Sequence, residues 1–173
     1  MLLINCSNRE KNCFKILNDI KTGNDKFISL SGKDMKFCLG CGACHENLEK
    51  HCVLDDFITN YLYYEIINAN DIVIASPMYM SNINAIFKNL LDRLNPFYQH
   101  DLLNGKNLYL IMTGGSSNED NEEEINGVIK YYEGISEWMH FNFEFLDYFE
   151  GYNAIEEIAY ENKINVIKEK LNK

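Results

Sequence analysis

Short apolar runs recur along the chain at Leu2-Leu3-Ile4, Phe27-Ile28, Ile72-Val73-Ile74-Ala75, Leu108-Tyr109-Leu110-Ile111-Met112 and Phe141 to Leu146. Runs without alternation suit strands covered on both faces, so these five segments are predicted to be buried strands. Between them the period changes. Ile83, Ile86, Phe87, Leu90, Leu91 and Leu94 place one apolar stripe along a helix, as do Ile125, Val128, Ile129, Tyr132 and Met139. The second of these helices opens on Glu119, Asp120, Glu122, Glu123 and Glu124, carboxylates favoured by the positive end of a helix dipole; they read as a solvated helix start and not as a metal site. Asp55 and Asp56 precede a helical stretch containing Ile58, Leu62 and Ile66, and a last helix is expected over roughly Ala154 to Leu171.

Strands alternate with helices over the whole length. Parallel neighbours need crossover connections, so the pattern predicts a parallel sheet with helices on both faces. No repeat, linker or break in composition divides the 173 residues, and one domain spanning 1–173 is expected. In such open sheets, ligands bind beyond the carboxyl ends of the strands, near the point where strand order reverses.

Three loops therefore carry candidate chemistry. After the first run, Cys6-Ser7-Asn8-Arg9-Glu10-Lys11-Asn12-Cys13 leads into a helix; Ser7, Arg9, Asn12 and backbone N–H groups would grip a phosphate there, and a plain polar connection with a helix cap would use the same residues. After the third run comes Ser76-Pro77-Met78-Tyr79-Met80. Proline cannot continue a central strand, so Pro77 is expected to turn the backbone out of the sheet and set Met78, Tyr79 and Met80 at its rim. Tyr79 would pack on a flat ring there, or stand half-buried with its hydroxyl as a polar handle. After the fourth run, Thr113-Gly114-Gly115 permits close backbone approach to a ligand and equally makes an ordinary turn.

A net charge of −10 disfavours nucleic acid and anionic membranes as partners. With no apolar run of the roughly 18 to 20 residues that a span requires and no basic leader, a cytoplasmic location is expected. In a reducing compartment, six cysteines read as ligands, redox groups or buried side chains. Four of them share one segment, Cys38, Cys41, Cys44 and Cys52, spaced Cys-x2-Cys-x2-Cys-x7-Cys. Such compact runs suit a [4Fe–4S] cluster, three thiolates capping one face and a nearby fourth closing it. Zinc, held by four thiolates or by three plus His45 or His51, and unmetallated thiols are the alternatives. Cys6 and Cys13 read as small buried or loop residues, His45 and His51 as exposed loop residues.

Taken in order, the three loops resemble those of the flavodoxin-like NAD(P)H-dependent FMN reductases. The cysteine segment followed by Asp55-Asp56 resembles the iron–sulfur flavoprotein branch of that superfamily. Ser76-Pro77-Met78-Tyr79 looks like the family's Ser-Pro-x-Tyr flavin loop, and Lys88 through Asp92-Arg93 looks like its Lys…Asp-Arg helix signature. The resemblance implies a flavodoxin-like α/β three-layer sandwich with a five-stranded parallel sheet of order 2-1-3-4-5. It implies that Ser7, Arg9 and Asn12 bind the FMN phosphate, and that Met78, Tyr79 and Met80, beside Pro77, frame the isoalloxazine together with Thr113, Gly114 and Gly115.

The flavin would carry the hydride chemistry, passing electrons from NAD(P)H to a flavin, quinone or other small-molecule acceptor with no side-chain acid or base. An electron carrier serving a redox protein, with its cluster on Cys38, Cys41, Cys44 and Cys52, is the first alternative; a non-enzymatic zinc or thiol sensor is the second. The chain departs from the family pattern where Cys6 replaces the usual glycine and Asn12-Cys13 replaces the common Ser or Thr. Members often dimerise, and Pro96-Phe97-Tyr98 would serve a homodimer contact or pack within one subunit.

Overall fold

Alternation along the first strand sets the layers. In β1 (Leu2–Asn5), Leu2 and Ile4 face one side of the sheet and Leu3 the other, and all four residues are buried. The computed structural model describes residues 1–46, 51–151 and 157–172. β1 pairs in parallel with β2 (Lys26–Ser29) and with β3 (Asp71–Tyr79), while a two-residue strand, β4 (Asn82–Ile83), folds back antiparallel on the end of β3. β5 (Asn107–Thr113) pairs with β3, and β6 (Asn142–Phe149) with β5. The order is β2-β1-β3-β5-β6, which is the expected 2-1-3-4-5 once the short hairpin strand is set aside.

Helices α1 (Asn12–Ile20), α2 (Tyr63–Asn68), α3 (Ala85–Arg93), α4 (Asn95–Gln99), α5 (Glu122–Met139) and α6 (Glu157–Leu171) sort onto the two faces. α1 and α6 cover Leu3, Val73, Ala75 and Ile111 through Ile16, Leu17, Ile20, Ile164 and Ile167. α2 to α5 cover Ile4, Ile72, Ile74, Leu108 and Leu110 through Ile66, Phe87, Leu90, Phe97 and Tyr132. Each fully buried Leu, Ile or Phe contributes about 1.5 to 3 kcal/mol. Where the last helix was expected from Ala154, residues 154–156 lie outside the described part and the helix is described from Glu157. Among the described residues no helix is long and apolar enough to cross a membrane.

Pro77 does not turn the chain out of the sheet: β3 runs on to Tyr79, and Pro77 pairs in register with Thr113 of β5. The reason lies on the other side. The Cys6 N–H donates to the Ala75 carbonyl at 2.9 Å, so the parallel ladder would next return an N–H from residue 77 to the Cys6 carbonyl. Proline has none, and β1 has already ended at Asn5. The Asn84 side-chain amide donates to the Cys6 carbonyl instead, at 2.5 Å.

A register shift between Leu110 and Ile111 of β5 places Leu146 as an extra residue in β6. The bulge sends Phe143 and Phe145 to the α5 face before it, and Tyr148 to the same face after it. Pro96-Phe97-Tyr98 forms helix α4, with Pro96 in the first turn where its missing N–H costs no bond. Phe97 is buried within its own chain, and Tyr98 packs on Trp138 with ring centroids 4.4 Å apart.

Candidate functional site

The carboxyl ends of β1, β3 and β5 border a cavity of about 220 Å³. Ser7, Arg9 and Asn12 line it from the first loop, Pro77, Met78 and Tyr79 from the second, and Thr113, Gly114 and Gly115 from the third, joined by Lys11 and Cys13. Met80 lies outside this lining. It stands 97% exposed in the β3–β4 turn, where Met80 and Ser81 both take the left-handed conformation (φ 51° and 60°).

The first loop is set by short polar side chains. Asn5 Oδ1 accepts from the Ser7 N–H and Ser7 Oγ accepts from the Arg9 N–H, each at 3.2 Å. α1 then starts at Asn12 behind Lys11, whose side chain has no acceptor with which to cap the first-turn N–H groups. No acidic residue occupies that turn. Arg9 and the helix end together make a donor-rich, positive wall in a chain that is otherwise acidic. Arg9 also reaches the second loop, Nη2 donating to the Tyr79 hydroxyl at 3.4 Å.

Cys6, which replaces the family's glycine, is fully buried against the α2–α5 face, so its side chain leaves the loop clear. Cys13 faces the other layer with Sγ 3.4 Å from Thr113 Oγ1. Burial pushes both thiols up, and the neighbouring Cys13 raises Cys6 further. Cys13 reaches about 11 although the Thr113 contact and Arg9 pull it down. Neither thiol is a nucleophile at neutral pH.

Gly114 serves the fold. A Cβ there would stand 1.9 Å from Tyr148 Oη. Its N–H donates to Phe149 and its carbonyl accepts from Gly151, both at 3.0 Å, so this backbone belongs to the end of β6. Both glycines line the cavity, and at Gly115 a Cβ would meet nothing within 4 Å.

Two asparagines escaped the sequence reading. Asn5 orders the first loop as above. Asn84, 3% exposed, caps α3 by accepting from the Phe87 N–H at 3.0 Å and meets Ser76 Oγ at 3.3 Å. An Asn directly before a helical stripe is an N-cap signal, and that signal was present in the sequence.

The cysteine segment is a separate feature. Its two ends meet over Arg93, whose Nη1 and Nη2 fork onto Asp56 at 2.5 and 3.1 Å. Arg93 also donates to the Lys36 carbonyl at 2.7 Å and to Thr59 Oγ1 at 2.8 Å, while Asp56 accepts from the N–H groups of Lys36 and Thr59. Burial raises the Asp56 carboxyl, but these donors outweigh it and hold the group below the usual carboxylate range. Within the helix signature, Lys88 and Asp92 form an exposed surface pair, so Arg93 is its structural member.

Cys38, Cys41, Cys44 and Cys52 all line one cavity of about 490 Å³ beside Arg93 and Asn95. They do not converge: among the described residues no three Cys, His, Asp or Glu side chains stand close enough to hold a metal ion. Residues 47–50, within the expected spacer, lie outside the described part. His45 is exposed as expected, whereas His51 is half-buried against Tyr63, Phe97 and His100. Its pKa is lowered by that burial and by His100. A larger groove of about 600 Å³ between α3, α4 and α5 is walled by Leu91, Tyr98 and Trp138, with Asp92, Asn95 and Lys130 also lining it.

Comparison with known proteins agrees with this geometry. The family described as NADPH-dependent FMN reductase matches residues 1–123. An iron–sulfur flavoprotein of Methanosarcina thermophila is 32% identical over 120 residues, covering 65% of this chain and 54% of the relative. The chain spans about half the length of the curated relatives it matches. In fold it is similar to an NADPH-quinone reductase from P. pentosaceus (TM-score 0.68, 12% identity, 98% of this chain and 94% of that one). It is also similar to an FMN-dependent NADH-azoreductase from Bacillus anthracis in complex with FMN (TM-score 0.65, 13% identity, 99% and 97%). The family match takes in the Ser7–Asn12 loop, the cysteine segment, the Pro77–Tyr79 rim and the Thr113–Gly115 loop, and the chain belongs to the NADPH-dependent FMN reductase family.

Proposed function

We propose that the protein is an FMN-dependent oxidoreductase that takes reducing equivalents from NAD(P)H and passes them to a flavin, quinone or other small-molecule acceptor. The observation that carries this reading is the meeting, at one cavity, of the uncapped start of α1 with the Tyr79 rim.

The residues suit a phosphorylated flavin. Ser7, Arg9, Asn12 and the first-turn N–H groups of α1 offer donors to a phosphate. Met78 and Tyr79 offer apolar and aromatic surface to a flat ring, and the open side of Gly115 lets a ring edge approach the backbone. FMN bound there supplies two-electron exchange with a nicotinamide and one- or two-electron delivery to an acceptor. The chain's own part is positional: it anchors the phosphate, holds the ring at the rim and aims backbone donors at it.

Titration with FMN, followed by absorbance and by flavin fluorescence, should give one site per chain, and the complex should oxidise NADH or NADPH with a quinone present. Absence of FMN binding overturns the reading and promotes the zinc or thiol sensor.

A second reading, an iron–sulfur flavoprotein that delivers electrons to a redox protein, is favoured by one observation, the four cysteines lining a common cavity. As they stand the thiols do not converge, so a cluster requires the segment to draw in. About four irons per chain after anaerobic reconstitution would support it; iron-free protein that binds flavin and oxidises NAD(P)H would leave the first reading alone.

A further inference from the structure

β3 and β4 are joined by a two-residue turn. Tyr79 pairs with Asn82 and Met78 with Ile83, so Met80 and Ser81 close the hairpin, both in the left-handed region (φ 51° and 60°). Two left-handed residues match such a turn to the twist of its strands, and Asn-Gly or Asp-Gly supplies them at little cost. Here Met and Ser occupy both positions. An ordinary side chain in that region brings its Cβ against the following carbonyl oxygen, so each residue opposes folding.

The hairpin leaves the sheet from an anchored base. Asn84, directly after β4, donates to the Cys6 carbonyl and accepts from the Phe87 N–H. At the tip, Met80 is 97% exposed and outside the cavity lining, whereas the two residues before it, Met78 and Tyr79, line the cavity directly. At that exposure, no packing among the described residues offsets the strain of holding an apolar side chain there.

From Tyr79 to Asn82 the tip carries no charge, in a chain of net charge −10. A neutral, flat molecule is therefore the best match at this edge of the rim. Methionine is unbranched and polarizable and adapts to varied apolar partners, as contact with a molecule that enters and leaves at every turnover requires.

We propose that Met80 is a specificity-determining contact for a neutral, flat electron acceptor of the quinone class, made on the solvent side of the Tyr79 rim. The inference rests on the flavin reading above and adds the class of acceptor to it. Met80 takes part in binding alone; the overall exchange is NAD(P)H, a proton and the quinone giving NAD(P)⁺ and the quinol.

Menadione, a neutral naphthoquinone, and ferricyanide, a hydrophilic anion, are the probes for the FMN-loaded chain. Met80→Asn should raise KM for menadione roughly 10-fold, with a much smaller rise for ferricyanide, and Met80→Leu, which keeps the apolar bulk, should recover most of the loss. Ser81→Gly, which relaxes the same turn and leaves Met80 in place, should keep the wild-type KM for menadione. Thermal unfolding without flavin gives an independent readout: Met80→Asn and Ser81→Gly should both unfold at a higher temperature than wild type, since Asn and Gly take the left-handed region more readily. A side chain whose replacement strengthens the fold and weakens one acceptor serves binding rather than structure.

Equal menadione KM in wild type and Met80→Asn, equal rises for menadione and ferricyanide, or a lower unfolding temperature in Met80→Asn each overturns the inference and leaves the flavin reading standing. A wild-type chain that binds no FMN overturns both.

Discussion

Arg93 and Asp56 form a two-pronged ion pair beneath the cysteine segment, with the two side chains only 1% and 0% exposed. Breaking a buried pair from one side leaves a charge without compensation, which costs about 3 to 5 kcal/mol. Asp56→Ala should lose that much in urea unfolding, while an apolar replacement of both partners should recover most of it.

The same pair predicts an acid-sensitive stability. The folded Asp56 carboxyl lies below its unfolded value, so its contribution is fully present above the unfolded pKa of about 3.9 and is lost as pH falls through the lower folded pKa. Unfolding free energy measured from pH 6 down to pH 2 should fall below about pH 4, and Asp56→Asn should remove that part of the slope.

Asn84 performs two tasks at once, capping α3 and donating to Cys6. Asn84→Ala should therefore destabilise by about 2 to 4 kcal/mol, a lost cap plus a stranded buried carbonyl. FMN affinity should fall with it, because Pro77–Tyr79 loses its lateral support. Equal FMN affinity in variant and wild type would separate this bond from the flavin loop.

The paired glycines should respond differently. Gly114→Ala drives a methyl into Tyr148 and should cost about 1 to 3 kcal/mol by thermal unfolding. Tyr148→Phe should rescue it only in part, since the ring carbon Cζ is still 2.7 Å from the new methyl. Gly115→Ala should leave stability unchanged and show its effect in flavin binding.

Arg9 should be read by phosphate dependence. A charge-assisted hydrogen bond is worth about 1.5 to 3 kcal/mol, so Arg9→Ala should weaken FMN roughly 10- to 100-fold and leave riboflavin, which lacks the phosphate, nearly unaffected. Tyr79→Ala should weaken both ligands. A parallel loss of FMN and riboflavin in Arg9→Ala would remove Arg9 from the phosphate.

The layers were legible because β1, β3 and β5 are buried on both faces and such strands read as unbroken apolar runs, whereas the strand order came from the family resemblance alone. The three loops were legible for a related reason: the end of a parallel strand beside a change in strand order is the one place where donors, rings and glycines meet. Pro77 was misread because a rule about N–H groups was applied without knowing which side of β3 still had a neighbour. The contact of Gly114 with Tyr148 was not legible because Tyr148 lies 34 residues away in β6, and no local pattern says which glycine a distant ring will need. The Asp56–Arg93 pair was visible as two motif fragments, but their contact joins α3 to the far end of the cysteine segment and belongs to tertiary structure alone.

The knot of bonds at Arg93 separates two design problems. With Lys36 and Asp56 held at one point, the chain between them is a ring whose closure is settled before its contents are chosen, and closure entropy changes only slowly with length. Insertions or deletions that spare the contacts of Cys44 with Asn95 and His100 should be absorbed within the ring, leaving the sheet and the β1–β3–β5 cavity untouched. Sequences that keep Asp56 and Arg93 while varying the exposed residues between Lys36 and Asp56 should still fold around the same cavity.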